Sequence, residues 1–268
     1  MYLGPTAENC KKSLILKVER HIPATRLQPF IKDYMFIETE SATDNCILPD
    51  TSLVLSIRYR GSISIEENNL PDVVLSGIRK SAKNVRYAGQ SGNLLVRFTP
   101  GGAAAFFSEP LNEWVNQSLP VAFLKNYSDI RQWPDRLAAC GTKEEKIACL
   151  EQVLVSRLIN PHPDPLISLA IQKIRSAGGL IPIRQLTRDL YLSQDAFEKR
   201  FRQTVGTSPK HFSTIVRLRN AIHTHSNTSS LTDTALSAGY YDQAHFIKDF
   251  KGFTGQPPGQ FFRNGQYW

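Results

Sequence analysis

Two stretches of this 268-residue chain decide its fold: SQDAFEKRFRQTVGTSPKHF at residues 193–212 and DQAHFIKDFKGFTGQPPGQF at residues 242–261. Offset by 49 positions they align without a gap. They share Gln194/Gln243, Phe197/Phe246, Lys199/Lys248, Phe201/Phe250, Gly206/Gly255, Pro209/Pro258 and Phe212/Phe261, and Arg202/Lys251 keeps its charge. Self-similarity of this kind means one supersecondary unit used twice. Ser193 and Asp242 are N-caps, because their side-chain oxygens accept from the free N–H groups of a first helical turn. Phenylalanines four apart share a helix face. Gly206 and Gly255 suit left-handed C-caps, and Pro209 and Pro258 open the helices that follow.

Ahead of each copy lies a shorter helical stretch, residues 182–190 and 231–238. Tyr191-Leu192 forms the turn in the first case and Gly239-Tyr240-Tyr241 in the second. Two short helices joined by a tight turn, twice over, make a pair of helix-turn-helix units, about 182–205 and 231–253. Leu166, Leu169, Ile171 and Ile174 form an apolar stripe ahead of Gly178-Gly179. Ser208-Pro209 starts a longer helix carrying Phe212, Ile215, Val216, Leu218 and Ile222, which joins one unit to the next. About seven helices are expected in this half.

The charge points to the same region. The chain carries a net +8 from 32 Lys+Arg and 24 Asp+Glu. Residues 1–160 hold 19 basic and 17 acidic side chains, and residues 161–268 hold 13 and 7, so +6 of the excess sits in the second part with five of the six His. Pro161-His162-Pro163-Asp164-Pro165 reads as the linker, since helices and central strands exclude such a run of prolines. Two domains are expected: 1–160, β-rich, and 161–268, basic and helical, suited to a polyanion.

The motifs Ser193-x-x-x-Phe197-x-x-Arg200-Phe201, Gly206-Thr207-Ser208-Pro209, Arg217-Leu218-x-x-Ala221, Ala235-x-x-x-Gly239-Tyr240, Asp242-Gln243-Ala244-His245-Phe246, Phe250-Lys251 and Gly255-x-Pro257-Pro258 occur in order. They resemble the DNA-binding domain of AraC-type (AraC/XylS-like) transcriptional regulators over residues 165–265. The chain departs from that pattern twice. Thr224-His225 stands where two apolar residues end the linking helix, which weakens the expected packing between subdomains. Pro257 replaces the Ser or Thr that caps the last helix.

With the phenylalanines buried, the resemblance implies that Asp195, Glu198 and Lys199 of one helix and Gln243, Ala244, Ile247 and Lys248 of the other face bases. Gln pairs with adenine, Lys donates to guanine, Glu accepts from cytosine and Ile packs on a thymine methyl. Gln194, Arg202 and Lys251 are expected on phosphates, where they position without specifying sequence. Glu198 and Arg202, four apart, equally suit a pair along the helix surface. Arg200 either meets the DNA backbone or braces the fold, and His245 is expected to pack or cap.

Residues 20–125 read as strands. Leu53, Leu55, Ile57 and Tyr59 alternate with Val54, Ser56, Arg58 and Arg60, the period of a half-buried strand. Gly61 turns the chain toward Ile63 and Ile65. Val73-Val74-Leu75, Val85-Arg86-Tyr87 and 94–98 follow between turn signals. An antiparallel β barrel or jelly roll, cupin-like, is expected, with a helical tail at 143–159. The stripe Ile147, Leu150, Val153, Leu154 and Leu158 of that tail serves either dimerisation or packing on the barrel, with dimerisation preferred. His21-Ile22-Pro23, Leu27-x-x-Phe30-Ile31-x-x-Tyr34, Leu48-Pro49-Asp50 and Phe98-Thr99-Pro100-Gly101-Gly102 resemble the sensory domain of one AraC-type subgroup, with no ligand implied. Pro100-Gly101-Gly102 reads as a barrel corner opening a helix at 103–107, or as a ligand-facing turn.

Composition narrows the rest. With 41% hydrophobic and 21% charged residues the chain is globular, neither disordered nor fibrous. Cys10, Cys46, Cys140 and Cys149 form no Cys-x-x-Cys and read as reduced, buried thiols of a cytoplasmic protein. Lys11, Lys12 and Lys17 interrupt any signal-peptide stretch. A barrel region with His21 as its single His offers no metal-ligand cluster, and no nucleophile–base constellation stands out, so no enzyme and no cofactor is expected. The expectation is a sequence-specific transcription regulator, ligand-responsive through its N-terminal half and acting as an activator. Its partners would be double-stranded DNA, a small-molecule effector, RNA polymerase and a second copy of the chain. A jelly-roll enzyme fused to a DNA-binding module and a sequence-blind architectural DNA binder are the alternatives.

Overall fold

The computed structural model describes residues 16–124, 127–225 and 230–264. Its first part holds ten strands: β1 (Leu16–His21), β2 (Ile31–Thr39), β3 (Thr43–Ile47), β4 (Val54–Arg60), β5 (Ile63–Ile65), β6 (Asn68–Asn69), β7 (Val73–Ser76), β8 (Lys83–Tyr87), β9 (Gly92–Phe98) and β10 (Ser118–Pro120). They form two antiparallel sheets, in the orders β1-β2-β9-β4-β7-β10 and β3-β8-β5-β6. The alternation at 53–59 works as expected: Leu55 and Ile57 are fully buried and pair with Val96 and Leu94 of β9, while Val54 and Ser56 are half-buried.

The sheet faces divide the core in two. Met35, Ile37 and Leu95 on one face of the larger sheet meet Ile63, Val85 and Tyr87 of the smaller sheet. Tyr34, Phe36, Leu55, Ile57, Leu94, Val96 and Phe98, on the opposite face, belong to a second and larger cluster shared with the helices. Most of the apolar burial therefore lies outside the sandwich. Among the covering elements are 3₁₀ turns at Gly102–Ala105 and Leu111–Trp114 and the helices α1 (Trp133–Ala139) and α2 (Lys143–Ser156). Residues 103–107, expected to be helical, form only the first of these short turns. In α2, which ends at Ser156 rather than reaching residue 159, Leu150 and Leu154 are buried, and Ile147, Val153 and, just past the helix, Leu158 pack against the same core. That stripe is spent on packing within the chain.

Seven further helices follow among the described residues: α3 (Pro165–Ser176), α4 (Ile183–Asp189), α5 (Gln194–Val205), α6 (Pro209–Thr224), α7 (Leu231–Ser237), α8 (Gln243–Thr254) and α9 (Pro258–Asn264). The last proline of the linker opens α3 instead of preceding a gap, because its missing N–H costs nothing at a first helical position; Asp164 caps that turn. In α3 the buried residues are Ile167, Ala170, Ile171 and Ile174, and Leu169 is 40% exposed, so the stripe is displaced from the one expected. Ser193, Ser208 and Asp242 cap their helices through side-chain oxygens. Gly206 and Gly255 end α5 and α8 at φ +85° and +80°.

The two helix-turn-helix units differ by one residue. The recognition helices α5 and α8 are offset by 49, but α4 and α7 by 48. Leu192 N donates to Thr187 O in the first turn and Tyr240 N to Ala235 O in the second, so Leu192 corresponds to Tyr240. The second turn thus carries Tyr241 as an extra residue, 94% exposed. Gly239 takes the left-handed conformation there, whereas the first turn forces Tyr191 into it at φ +54°.

Both departures in the second unit are compensated. His225 stacks on Phe262 with ring centroids 3.7 Å apart, and its Nδ1 lies 2.8 Å from Thr234 Oγ1. The packing expected to weaken at Thr224-His225 is rebuilt by an aromatic pair. Pro257 supplies no side-chain cap, but Thr254 Oγ1 accepts from Gln256 N at 3.2 Å and holds the turn ahead of α9.

Candidate nucleic-acid interface

Phe197, Phe201, Phe246 and Phe250 are all fully buried, which fixes the outward face of each recognition helix. On α5, Gln194, Asp195, Lys199 and Arg202 are exposed and Glu198 is half-buried. Gln194 Nε2 donates to Glu198 Oε1 at 3.1 Å and Arg202 Nη2 to Glu198 Oε2 at 3.3 Å. Three of the expected contact residues are thereby strung along one helix face, and the surface pair anticipated between Glu198 and Arg202 is present. On α8, Ala244, Lys248 and Lys251 are exposed, and Gln243 and Ile247 are half-buried. Thr232 of α7 donates to Gln243 Oε1 at 2.9 Å, which orients the amide and leaves its NH₂ free of that bond. Nothing in the sequence singled out Thr232.

Arg200 braces the fold: its guanidinium grips both oxygens of Asp164, the cap of α3. His245 is 54% exposed on its side chain and packs edge-on against Tyr240, with Nε2 3.5 Å from Asp249. Asp249 is also reached by Arg217 Nη2 at 3.3 Å and Tyr240 OH at 3.4 Å, and the Arg217 guanidinium lies 4.0 Å from the Tyr240 ring centroid. This cluster ties the linking helix α6 to the second unit. Burial, foremost, pushes the Tyr240 phenol up to about 12.

The helical and β-rich parts also meet directly. α5 packs on the two 3₁₀ turns, and a side chain on Gly206 would come within 3.2 Å of Leu111 O and Leu53. Arg219 donates to Pro49 O at 2.9 Å, Arg175 to Thr51 Oγ1 at 3.2 Å, and Ala82 N to Phe253 O at 2.9 Å, so both units touch the β-rich part. Gly101 sits at φ +82°, a Cβ placed on it would lie 3.5 Å from Thr204 Cγ2, and it lines a cleft of about 220 Å³ with Pro29, Asp164, Ile171 and Arg175. The Pro100-Gly101-Gly102 segment is therefore both a corner and a wall between the parts.

His211 belongs to this contact, with Nε2 3.2 Å from Arg79 O. Burial lowers its pKa below the ordinary imidazole value, the bond to the Arg79 carbonyl opposes this, and Lys80 adds to the lowering. A depressed imidazole stays neutral when folded while the unfolded chain takes up the proton first. Its contribution is full above the unfolded pKa of about 6.5 and is lost as pH falls toward the folded value. The melting temperature is expected to fall from about pH 7.5 to about pH 5.5, and His211→Gln, which keeps a donor at the Nε2 position, to lose part of that fall. Identical pH profiles for the two proteins would remove His211 from the interface.

Among the described residues no three His, Cys, Asp or Glu side chains gather as a metal site, and no helix is long and apolar enough to cross a membrane. The thiols differ from expectation: Cys46, Cys140 and Cys149 are half-exposed, and Cys10 lies outside the described residues.

Comparison with known proteins adds five findings. Residues 186–264 match the family model of a helix-turn-helix domain, and residues 19–120 match a domain of unknown function (DUF6597). An uncharacterized HTH-type transcriptional regulator of Haemophilus influenzae is 36% identical over 80 residues, which is 30% of this chain and only 27% of that protein's length. ToxT of Vibrio cholerae superposes with a TM-score of 0.48 at 8% identity, over 93% of this chain and 98% of that one. The AraC-like transcriptional activator CuxR gives 0.28 at 12% identity, over 84% and 92%. Two capped helix pairs built on buried Phe-x-x-x-Phe faces, joined by α6 and matched by that family model, make the C-terminal part of this chain an AraC-type helix-turn-helix domain.

Proposed function

We propose that the chain is a cytoplasmic, sequence-specific DNA-binding transcription regulator, divided into a sensory domain at 1–160 and a DNA-binding domain at 161–268. One observation carries the reading: two recognition helices bury their phenylalanines and leave a polar row outward, on a part of the chain with net charge +6. Asp195, Glu198, Lys199, Gln243, Ala244, Ile247 and Lys248 meet base edges, and Gln194, Arg202 and Lys251 meet phosphates. Basicity supplies attraction to the duplex, and the mixed chemistry of the base-facing set supplies choice. An effector seated against the β-rich part would act by favouring one arrangement of the two domains. Activation through RNA polymerase is the mode this reading adopts, with a second copy of the chain as partner.

Selection of bound sequences from a random duplex library tests the proposal, with affinity for the winner at least ~10³ above bulk DNA at the same salt. Failure to enrich a motif would leave only sequence-blind binding. On the selected site, Gln243→Ala and Lys199→Ala are each expected to cost ~1–3 kcal/mol and relax one base position. Uniform weakening over all sequences would move these side chains to phosphate.

A further inference from the structure

The turn between α1 and α2 brings two cysteines together. Cys140 ends α1, with its Sγ 3.3 Å from Arg136 O. Lys146 of α2 reaches back over that end, donating to Leu137 O at 2.6 Å and to Cys140 O. Cys149 follows Lys146 by three residues and so shares its helix face. It lines a small cavity with Trp133, Arg136 and Leu137, so both cysteines border the same Arg136 at the junction of the two helices. The intervening backbone is held too: Thr142 and Glu145 form a capping box, and Gly141 N donates to Glu145 Oε2 at 2.8 Å. Both cysteines are half-exposed, whereas Cys46 lies apart on β3 of the smaller sheet.

We propose that Cys140 and Cys149 are a redox-sensitive pair that a hydroperoxide closes into an intrachain disulfide. Partial burial, foremost, and the neighbouring Cys149 hold the Cys140 thiol above its ordinary range, which makes Cys140 a poor source of thiolate for the first step. The Cys149 thiolate attacks the peroxide: an S–O bond forms, the O–O bond breaks, and an alcohol or water leaves with the thiol proton. The Cys140 thiolate then attacks the sulfenic sulfur: the S–S bond forms, the S–O bond breaks, and water leaves with the second proton. Two electrons pass from the thiols to the peroxide. The closed pair staples α1, which packs on β4, to α2 on the face of the sensory sheet.

The test uses the reduced full chain, treated with hydrogen peroxide, blocked with maleimide and digested with trypsin. Residues 137–143 and 147–157 are expected as one linked species lighter by two hydrogens, with maleimide lost from Cys140 and Cys149 together. The rate should rise by up to about tenfold per pH unit below the thiol pKa. Cys46→Ser should give the same linked species, and Cys149→Ser should leave Cys140 labelled. Absence of the linked species, or Cys140 joined instead to Cys10, Cys46 or a second chain, would overturn the proposal.

Discussion

Phe250→Ala is expected to destabilise the chain by about 3–5 kcal/mol, measured by urea unfolding, because it removes a fully buried ring from the centre of the second unit. Phe250 stands 5.3 Å from Phe246, 5.1 Å from Phe261 and 5.4 Å from Phe262, so one truncation opens a cavity lined by three rings. Phe262 also carries the His225 stack, and its loss of support should reach the end of α6. The damage should be local in its first stage: amides of α8 and α9 lose hydrogen-exchange protection while those of β2 and β9 keep it. A cost below about 1 kcal/mol would mean that the aromatic cluster is not what holds this unit.

Gly179→Ala is the second large effect. Gly179 sits at φ +83°, and a Cβ there would fall 2.3 Å from Ser213 O and 3.0 Å from Arg217 N, both backbone atoms of α6. Gly255 provides the control: its φ is +80°, but nothing lies within 4 Å of the added carbon. Gly255→Ala should therefore cost only the left-handed backbone, about 1–2 kcal/mol. Gly179→Ala should add the displacement of α3 from α6 and exceed it by about 1–3 kcal/mol, the range for overpacking. Thermal unfolding of the two variants side by side isolates the steric part. Equal costs would show that α3 and α6 are free to separate at this point.

What the sequence made legible was whatever repeats or alternates locally. The seven identities located both recognition helices, and the alternation at 53–59 located a strand with the right face inward. The offset of 48 between α4 and α7 left no trace, because Leu186, Thr187 and Leu190 correspond to Thr234, Ala235 and Ala238, with similar burial but no shared identity. The stripe in α3 was misplaced because isoleucines and leucines there occupy several faces, and only the packed neighbours decide which is inside. The contacts of Arg219 with Pro49 and of Arg175 with Thr51 span 170 and 124 residues, a separation at which local pattern carries no information. His225 looked like a lost hydrophobe until its partner, Phe262, lay beside it. In the candidate site, residue types suggested chemistry, but Thr232 on Gln243 and Asp164 on Arg200 required the fold.

The linking helix α6 has 16 residues, about 24 Å of regular backbone, and it buries Phe212, Ile215, Val216, Leu218 and Ala221 along its length. On the proposed reading, once one unit has engaged a duplex, the other is delivered to its own groove segment without any flexible tether to order. The second encounter is intramolecular, and a stiff connection gives a high effective concentration at one separation and almost none at others. Spacing between the two half-sites then becomes as much a part of recognition as the bases themselves, and it is read by a helix that touches no base.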